Sequence, residues 1–450
     1  MRTPSAFSAA TARLAGLLLV SAMLGCGGPV SPPPSGNGSS SAGPEVSETV
    51  SPSPTSPSPT SSFPTGTGPT SPGPTGPTTS RPSATPSGAP GAPSTSGGTA
   101  HDEQPCAREA AALTLREQVG QLFMVGVDTG AGLGRLQAES LANTRVGSAV
   151  LLGNTTAGAA AVRRLASSVR DAARTPDGVG MLLAADQEGG QVQRLRGSGF
   201  DRIPSAFEQA DRSNSRLRAD AEVWGRQLKE AGIDADLAPV ADVVPVGLTE
   251  VNQPIGVLRR GYGPDADVVA DKVSAFVRGM AAAGVVTSVK HFPGLGKVRG
   301  NTDFQARVVD STTTRKDPDL AGFRAAVASG VDMVMMSSAY YAKIDEEDPA
   351  AFSATVVQGM LRADMGFSGV VVSDDLAAQA VQYLPPGRRA LRFLRAGGDL
   401  IIVGDPSLLP RMAEAVLDEA QADSRFADEV TRHVARVLQM KARKGLADCG

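Results

Sequence analysis

Gly366–Leu376 reads GFSGVVVSDDL: a glycine-flanked turn, an unbroken valine triplet, then two carboxylates, Asp374 and Asp375. A run with no polar face suits a parallel strand covered on both sides. Working outward, seven more short apolar runs recur along the chain: Leu122 to Val127, Ser148 to Leu152, Met181 to Ala184, Asp234 to Leu237, Val285 to Lys290, Met333 to Met336, and Leu400 to Val403. Between them lie stretches such as Ala206 to Ala231 and Asp265 to Ala283, which carry Ala, Arg, Glu, Leu and Val at helical spacing and end near glycines. Eight strand–helix units in about 340 residues predict an α/β fold of the (β/α)8 barrel type, not an open doubly wound sheet. No glycine-rich phosphate loop follows the first run, which weakens the dinucleotide-binding alternative.

Barrel chemistry sits at the C-terminal ends of the strands. The ends of these runs, and the few residues beyond, carry Asp186 and Glu188, Asp242, Lys290 and His291, Ser337 and Ser338, Asp374 and Asp375, and Asp405. Strand ends meet solvent and collect polar residues in any barrel, so the longer stretches carry more weight. VKHFPGLGK (Val289 to Lys297) delivers Lys290 and His291 from a buried strand into a turn, where they can donate hydrogen bonds to hydroxyls. DQEGGQVQR (Asp186 to Arg194) sets a carboxylate and a guanidinium at one mouth as acceptor and donor. GFSGVVVSDDL supplies a carboxylate able to attack or stabilise an oxocarbenium-like centre.

Together with APVADV (Ala238 to Val243), IGVLRRGYG (Ile255 to Gly263), PAAFS (Pro349 to Ser353) and AGGDLIIV (Ala396 to Val403), these stretches resemble glycoside hydrolase family 3. The likeness is to its single-domain bacterial β-N-acetylglucosaminidases and covers nearly all of residues 115 to 445. It implies a retaining exo-acting β-N-acetylhexosaminidase that removes terminal N-acetylglucosamine from peptidoglycan fragments. The resemblance puts Asp374 on the nucleophile and Asp375 beside it. It puts Asp186, Arg194, Arg260, Lys290 and His291 on the positions that hold the sugar's hydroxyls, with Arg259 adjacent to Arg260 and the local spacing altered. Neither a metal nor an organic cofactor is implied, and no Cys/His cluster suggests one.

The chain departs from the family at one loop. There the family has PGHG and then an Asp-Ser-His triplet whose histidine donates the proton; here the loop reads PGLGKVRGNTDF, with Asn301, Thr302 and Asp303 in the triplet's place. His101, His291 and His433 are the only histidines, and none is a good substitute. Two readings stay open. Asp303 acts as general acid and base, with its pKa raised by burial beside Asp374; or the loop has lost its catalytic group and the protein is a non-catalytic glycan-binding lipoprotein. A β-glucosidase of the same family is a further alternative, although such members usually carry a second domain supplying an acid/base glutamate, and this chain ends soon after its barrel.

The rest of the sequence gives an address. Arg2, Arg13 and the apolar run Ala15 to Leu24 read as an export signal, too short to span a bilayer. Gly25 and Cys26 follow as in a bacterial lipobox, which implies an acylated Cys26 and a membrane anchor at residues 1–26. Residues 27–104 are Ser, Pro, Thr and Gly with almost no large apolar side chain, a composition that predicts a disordered linker. As a flexible coil it would span roughly 50 Å. Residues 105–450 then form the barrel domain, and its two cysteines, Cys106 and Cys449, lie at its ends, where export would permit them to pair or leave them as separate thiols. Net charge is −3 with both signs interspersed, so nucleic acid is an unsuitable partner and a carbohydrate of little charge a suitable one. The run Met333 to Met336 reads as barrel core, Tyr340 and Tyr341 as pocket lining or an exposed pair, and Arg432, Arg436, Lys441 and Lys444 as the solvated face of an amphipathic helix packed on the barrel.

Overall fold

The structure is a computed structural model that describes residues 106–449. The export signal, Cys26 and the linker lie outside the described residues. Eight strands form the central sheet: β1 (Phe123–Asp128), β2 (Ser148–Leu152), β3 (Leu182–Ala185), β4 (Ala235–Asp236), β5 (Val286–Phe292), β6 (Met333–Met336), β7 (Val370–Ser373) and β8 (Ile401–Val403). Each arises from one of the apolar runs. The order is β7-β6-β5-β4-β3-β2-β1-β8 with every neighbouring pair parallel. A parallel bridge between Val372 and Leu400 brings the two edges together, so the chain forms the expected (β/α)8 barrel.

Alternation along the strands sorts the side chains into two layers. Met124, Val150, Leu182, Ala184, Val286, Met333, Met335, Val370, Val372 and Ile402 fill the barrel. Their neighbours Val125, Ala149, Leu183, Val289, Val334, Val371 and Ile401 face the surrounding helices. Those helices are locally well specified. Thr114 and Glu117 form a capping box at Leu115–Gln121, and Asp265 caps Ala266–Ala282 by accepting from the amides of Asp267 and Val268.

The N-terminal end of the barrel is closed by charge. Asp234, Asp332 and Asp399 precede β4, β6 and β8, and each accepts a backbone N–H at or near the start of the adjacent strand, from Leu183, Thr287 and Val371. Asp399 is fully buried between Arg362 (2.6 Å), Arg436 (2.7 Å) and His433 (2.8 Å). Burial would raise its pKa, but the two guanidinium groups hold it far below the usual carboxylate range. The last helix, Ser424–Ala442, therefore does not present the solvated cationic face expected from its sequence. Its Lys441 is fully buried and donates to Gln121 Oε1 (2.7 Å), the Gly147 carbonyl (2.7 Å) and the Gly180 carbonyl (3.0 Å). Burial pushes its pKa down to about 7, yet three oxygen acceptors match the three N–H groups of an ammonium, which favours the charged form. A disulfide between Cys106 and Cys449 ties the two ends of the described chain.

Candidate active site

At the opposite end, the loops after the strands surround a cavity of about 430 Å³. Its wall includes Asp186, Arg194, Arg260, Lys290, His291, Asp303, Asp374 and Asp375. Side chains spread over nearly two hundred residues of sequence thus share one concave surface.

Asp186, Glu188, Arg260 and Lys290 are held by one another. The β3 strand ends at Ala185, and Asp186 leads into a hairpin of Gln187–Gly189 against Val192–Gln193, turned by Gly189 and Gly190 at positive φ. A Cβ on Gly189 would lie 2.1 Å from the Pro204 carbonyl oxygen, so only glycine fits that corner. The hairpin sends Asp186 and Glu188 toward Lys290, whose ammonium lies 2.6 Å from both carboxylates. Glu188 also takes a paired contact from Arg260, with Nε and Nη2 each at 2.8 Å. Burial would push the Glu188 carboxyl up, but Arg260 and Lys290 hold it well below its ordinary range. Lys290 is raised: burial lowers it, and Asp186 and Glu188 more than offset that.

Of the adjacent arginines, Arg260 faces the cavity, donating also to the Pro254 carbonyl at 2.8 Å, while exposed Arg259 lies over the Phe207 ring at 4.5 Å. His291 is buried, with Nδ1 2.8 Å from Asp242 Oδ2 and Nε2 3.5 Å from Arg260. Asp242 Oδ1 meanwhile accepts the backbone amides of His291 and Leu295, so one carboxylate fixes both the ring and its loop. The Lys290–His291 peptide bond is cis. Arg194 donates to Asn154 Oδ1 at 3.3 Å, and its Nε is buried without a protein partner. A buried donor left free in a cavity wall is suited to a ligand oxygen.

Asp374 follows β7, its amide bonded to the Met336 carbonyl and its Oδ1 accepting from the Asp375 amide at 2.9 Å. Its pKa is pushed up to about 6 by burial and by the negative charge of Asp303, against the opposing pull of His291. Asp375 points away to accept from the amides of Ala377 and Gly404 at 2.8 Å each. It braces the loops around Asp374.

Asp303 differs from the sequence expectation in one respect: it lines the cavity but is exposed, not buried. The reason is its turn. Buried Asn301 accepts the Asp303 amide on its side chain (2.9 Å) and the Phe304 and Gln305 amides on its carbonyl, which lifts residues 303–305 outward to the rim. Several other strand-end candidates fall outside the cavity. Asp405 caps the short helical turn Pro406–Leu408, and Ser337 and Ser338 are buried behind the wall. Tyr340 and Tyr341 are neither pocket lining nor exposed; both are buried, with the Tyr341 hydroxyl donating to the Gly294 carbonyl at 2.8 Å.

Glu188 and Asp242 were visible as strand-end carboxylates, but nothing in the sequence indicated what they orient. Asp236 was not singled out at all. It is fully buried at the end of β4, accepting the Gln187 amide at 2.9 Å, and burial pushes its pKa up to about 8.

A barrel whose C-terminal mouth opposes a carboxylate to a cluster of charged hydrogen-bonding groups is a frame that suits a glycoside hydrolase. Residues 114–440 match the Glycosyl hydrolase family 3 N terminal domain, and the chain belongs to that family. It is 34% identical over 304 residues to a β-hexosaminidase of Xylella fastidiosa (strain M23), covering 66% of this chain and 87% of that protein. Among solved structures it is similar to the β-N-acetylhexosaminidase from Beutenbergia cavernae DSM 12333, with 44% identity and a TM-score of 0.70 over 74% of this chain and 99% of that one. A family 3 β-N-acetylglucosaminidase from Paenibacillus sp. str. FPU-7 shares 31% identity with a TM-score of 0.67, covering 74% of this chain and 63% of its own.

Proposed function

We propose that the chain is a retaining β-N-acetylhexosaminidase that releases terminal β-linked N-acetylglucosamine. The observation that carries this reading is the single cavity that joins Asp374 to Asp186, Arg194, Arg260, Lys290 and His291. The named relatives support the amino-sugar specificity.

In this mechanism an Asp374 oxygen attacks the anomeric carbon as the glycosidic C–O bond breaks, and protonated Asp303 transfers its proton to the departing oxygen. Asp303, now a carboxylate, then takes a proton from water as that water attacks the anomeric carbon. The ester to Asp374 breaks, and the sugar leaves with its original configuration. The Lys290 and Arg260 charges, fixed by Glu188, hold hydroxyls without needing to reorganise during the reaction.

What favours the competing reading, a glycan-binding protein, is the loop itself, which carries an exposed Asp303 where the family resemblance places a proton-donating histidine. Turnover of 4-nitrophenyl N-acetyl-β-glucosaminide in preference to the corresponding glucoside is expected. Sugar binding without turnover of either would favour capture, and preference for the glucoside would favour a β-glucosidase.

We infer further that peptidoglycan fragments outside the cytoplasmic membrane are the substrate and that Cys26 carries a lipid anchor. The apolar run ending at Gly25–Cys26 supports the anchor, and the Cys106–Cys449 disulfide suits an oxidising compartment.

A further inference from the structure

The mechanism leaves part of the cavity's rim without a task. Phe304 lines the cavity and is 78% exposed, the most exposed large apolar side chain among the described residues. A phenyl ring has no hydrogen-bonding group, so what it offers at the mouth of a polar pocket is its face. The C–H bonds on one face of a pyranose ring are a suitable complement, apolar in shape and weakly positive against the negative π cloud.

The ring's place in the chain indicates which sugar it meets. Phe304 follows Asp303 directly, and the amides of Phe304 and Gln305 both close on the Asn301 carbonyl, at 3.1 and 3.0 Å. A group one residue from the proton donor stands on the leaving-group side of the scissile bond. The hydroxyl-gripping charges are placed elsewhere: Asp186 and Arg194 in the loop after β3, Arg260 in the loop after β4, and Lys290 and His291 on β5 itself, ahead of the loop that carries Phe304.

The loop carrying Phe304 is firmly held. Buried Asn252 donates to the carbonyls of Leu295 (2.8 Å), Gly296 (3.2 Å) and Val298 (2.7 Å). Lys297 is clamped at 2.9 Å by both oxygens of Asp317. Further along, the amides of Ala380 and Gln379 donate to the Thr302 and Asp303 carbonyls, at 3.0 and 3.2 Å. The Gln253 amide donates to the Arg299 carbonyl at 3.1 Å, joining this loop to a neighbouring turn whose Pro254 and Leu258 also line the cavity. An aromatic face on a fixed backbone loses little freedom when a ring settles on it.

We propose that Phe304 is the platform for the leaving-group sugar, so that the enzyme prefers a terminal amino sugar joined to a second pyranose ring over one joined to a small aglycone. This rests on the hydrolase reading above. The test compares the full chain with Phe304→Ala and Phe304→Trp on N,N′-diacetylchitobiose and on methyl N-acetyl-β-glucosaminide. Phe304→Ala is expected to lower kcat/KM for the disaccharide about tenfold, chiefly through KM, as loss of an aromatic stack does. The methyl glycoside should change by less than about twofold, and Phe304→Trp should restore the disaccharide. Equal losses on both substrates, or a fall in kcat with KM unchanged, would mean that Phe304 only holds the loop and would overturn the proposal. So would an unchanged disaccharide. If the unaltered chain turns over neither glycoside, the hydrolase reading fails on its own; disaccharide binding then decides the platform, and an unchanged Kd in Phe304→Ala overturns it.

Discussion

At the scale of single residues, the site turns on two carboxylates in unlike surroundings. Asp374 is half-buried in the cavity wall and raised to about 6, while Asp303 stands exposed at the rim. Asp374 must be ionised to attack, so kcat/KM is expected to fall as pH drops through about 6. A pH–rate profile checks this, and a profile that stays flat through that range contradicts it. The stability consequence has a definite sign. A folded-state pKa above the unfolded value means that the folded protein holds this proton more tightly, so the stabilisation is present at low pH and is lost as pH rises through about 6. At neutral pH the ionised nucleophile is therefore a cost to the fold.

At the scale of elements, the loops after β3 and β4 and the end of β5 work as a unit through pairs that are distant in sequence. Lys290 meets Asp186 across 104 residues, Arg260 meets Glu188 across 72, and His291 meets Asp242 across 49. Replacing Glu188 by Gln leaves two buried cations short of a charge, which costs roughly 3 to 5 kcal/mol when such a pair is broken. Glu188→Gln is accordingly expected to lower Tm by several degrees and to raise KM. Thermal melts and steady-state kinetics check it, and an unchanged Tm would contradict the role given to Glu188. The strands were legible because short, largely apolar runs recur between helical stretches, although Asp234 to Leu237 carries two carboxylates, and Asp374, Lys290 and His291 because they end or follow those runs. What Glu188 and Asp242 orient was not legible, since their partners become neighbours only once the barrel has closed. The exposure of Asp303 was hidden for another reason: it depends on Asn301 accepting the amides of Asp303, Phe304 and Gln305 on its side chain and carbonyl.

At the scale of the whole molecule, the barrel divides its polar groups between two ends. The mouth gathers carboxylates and cations around open space, whereas at the base Asp399 and Lys441 are buried among their own partners. The C-terminal helix misled the sequence reading for this reason. A lysine at a helix end reads as solvated until the Gly147 and Gly180 carbonyls, from two other segments, are seen to receive it. The inferred membrane address is a property of the intact chain, and Cys26→Ala is expected to release the protein from the membrane fraction. Retention of that variant in the membrane fraction would contradict anchoring through Cys26.

The central claim is that Asp374 and Asp303 together cleave an amino-sugar glycoside. It is tested most directly by hydrolysis of 4-nitrophenyl N-acetyl-β-glucosaminide by the purified chain beside Asp374→Asn and Asp303→Asn. Turnover is expected in the unaltered protein, abolished in Asp374→Asn and reduced roughly 10²-fold or more in Asp303→Asn. Turnover unaffected by Asp303→Asn would contradict the carboxylate acid, and no turnover by the unaltered chain, with sugar binding intact, would contradict the hydrolase itself.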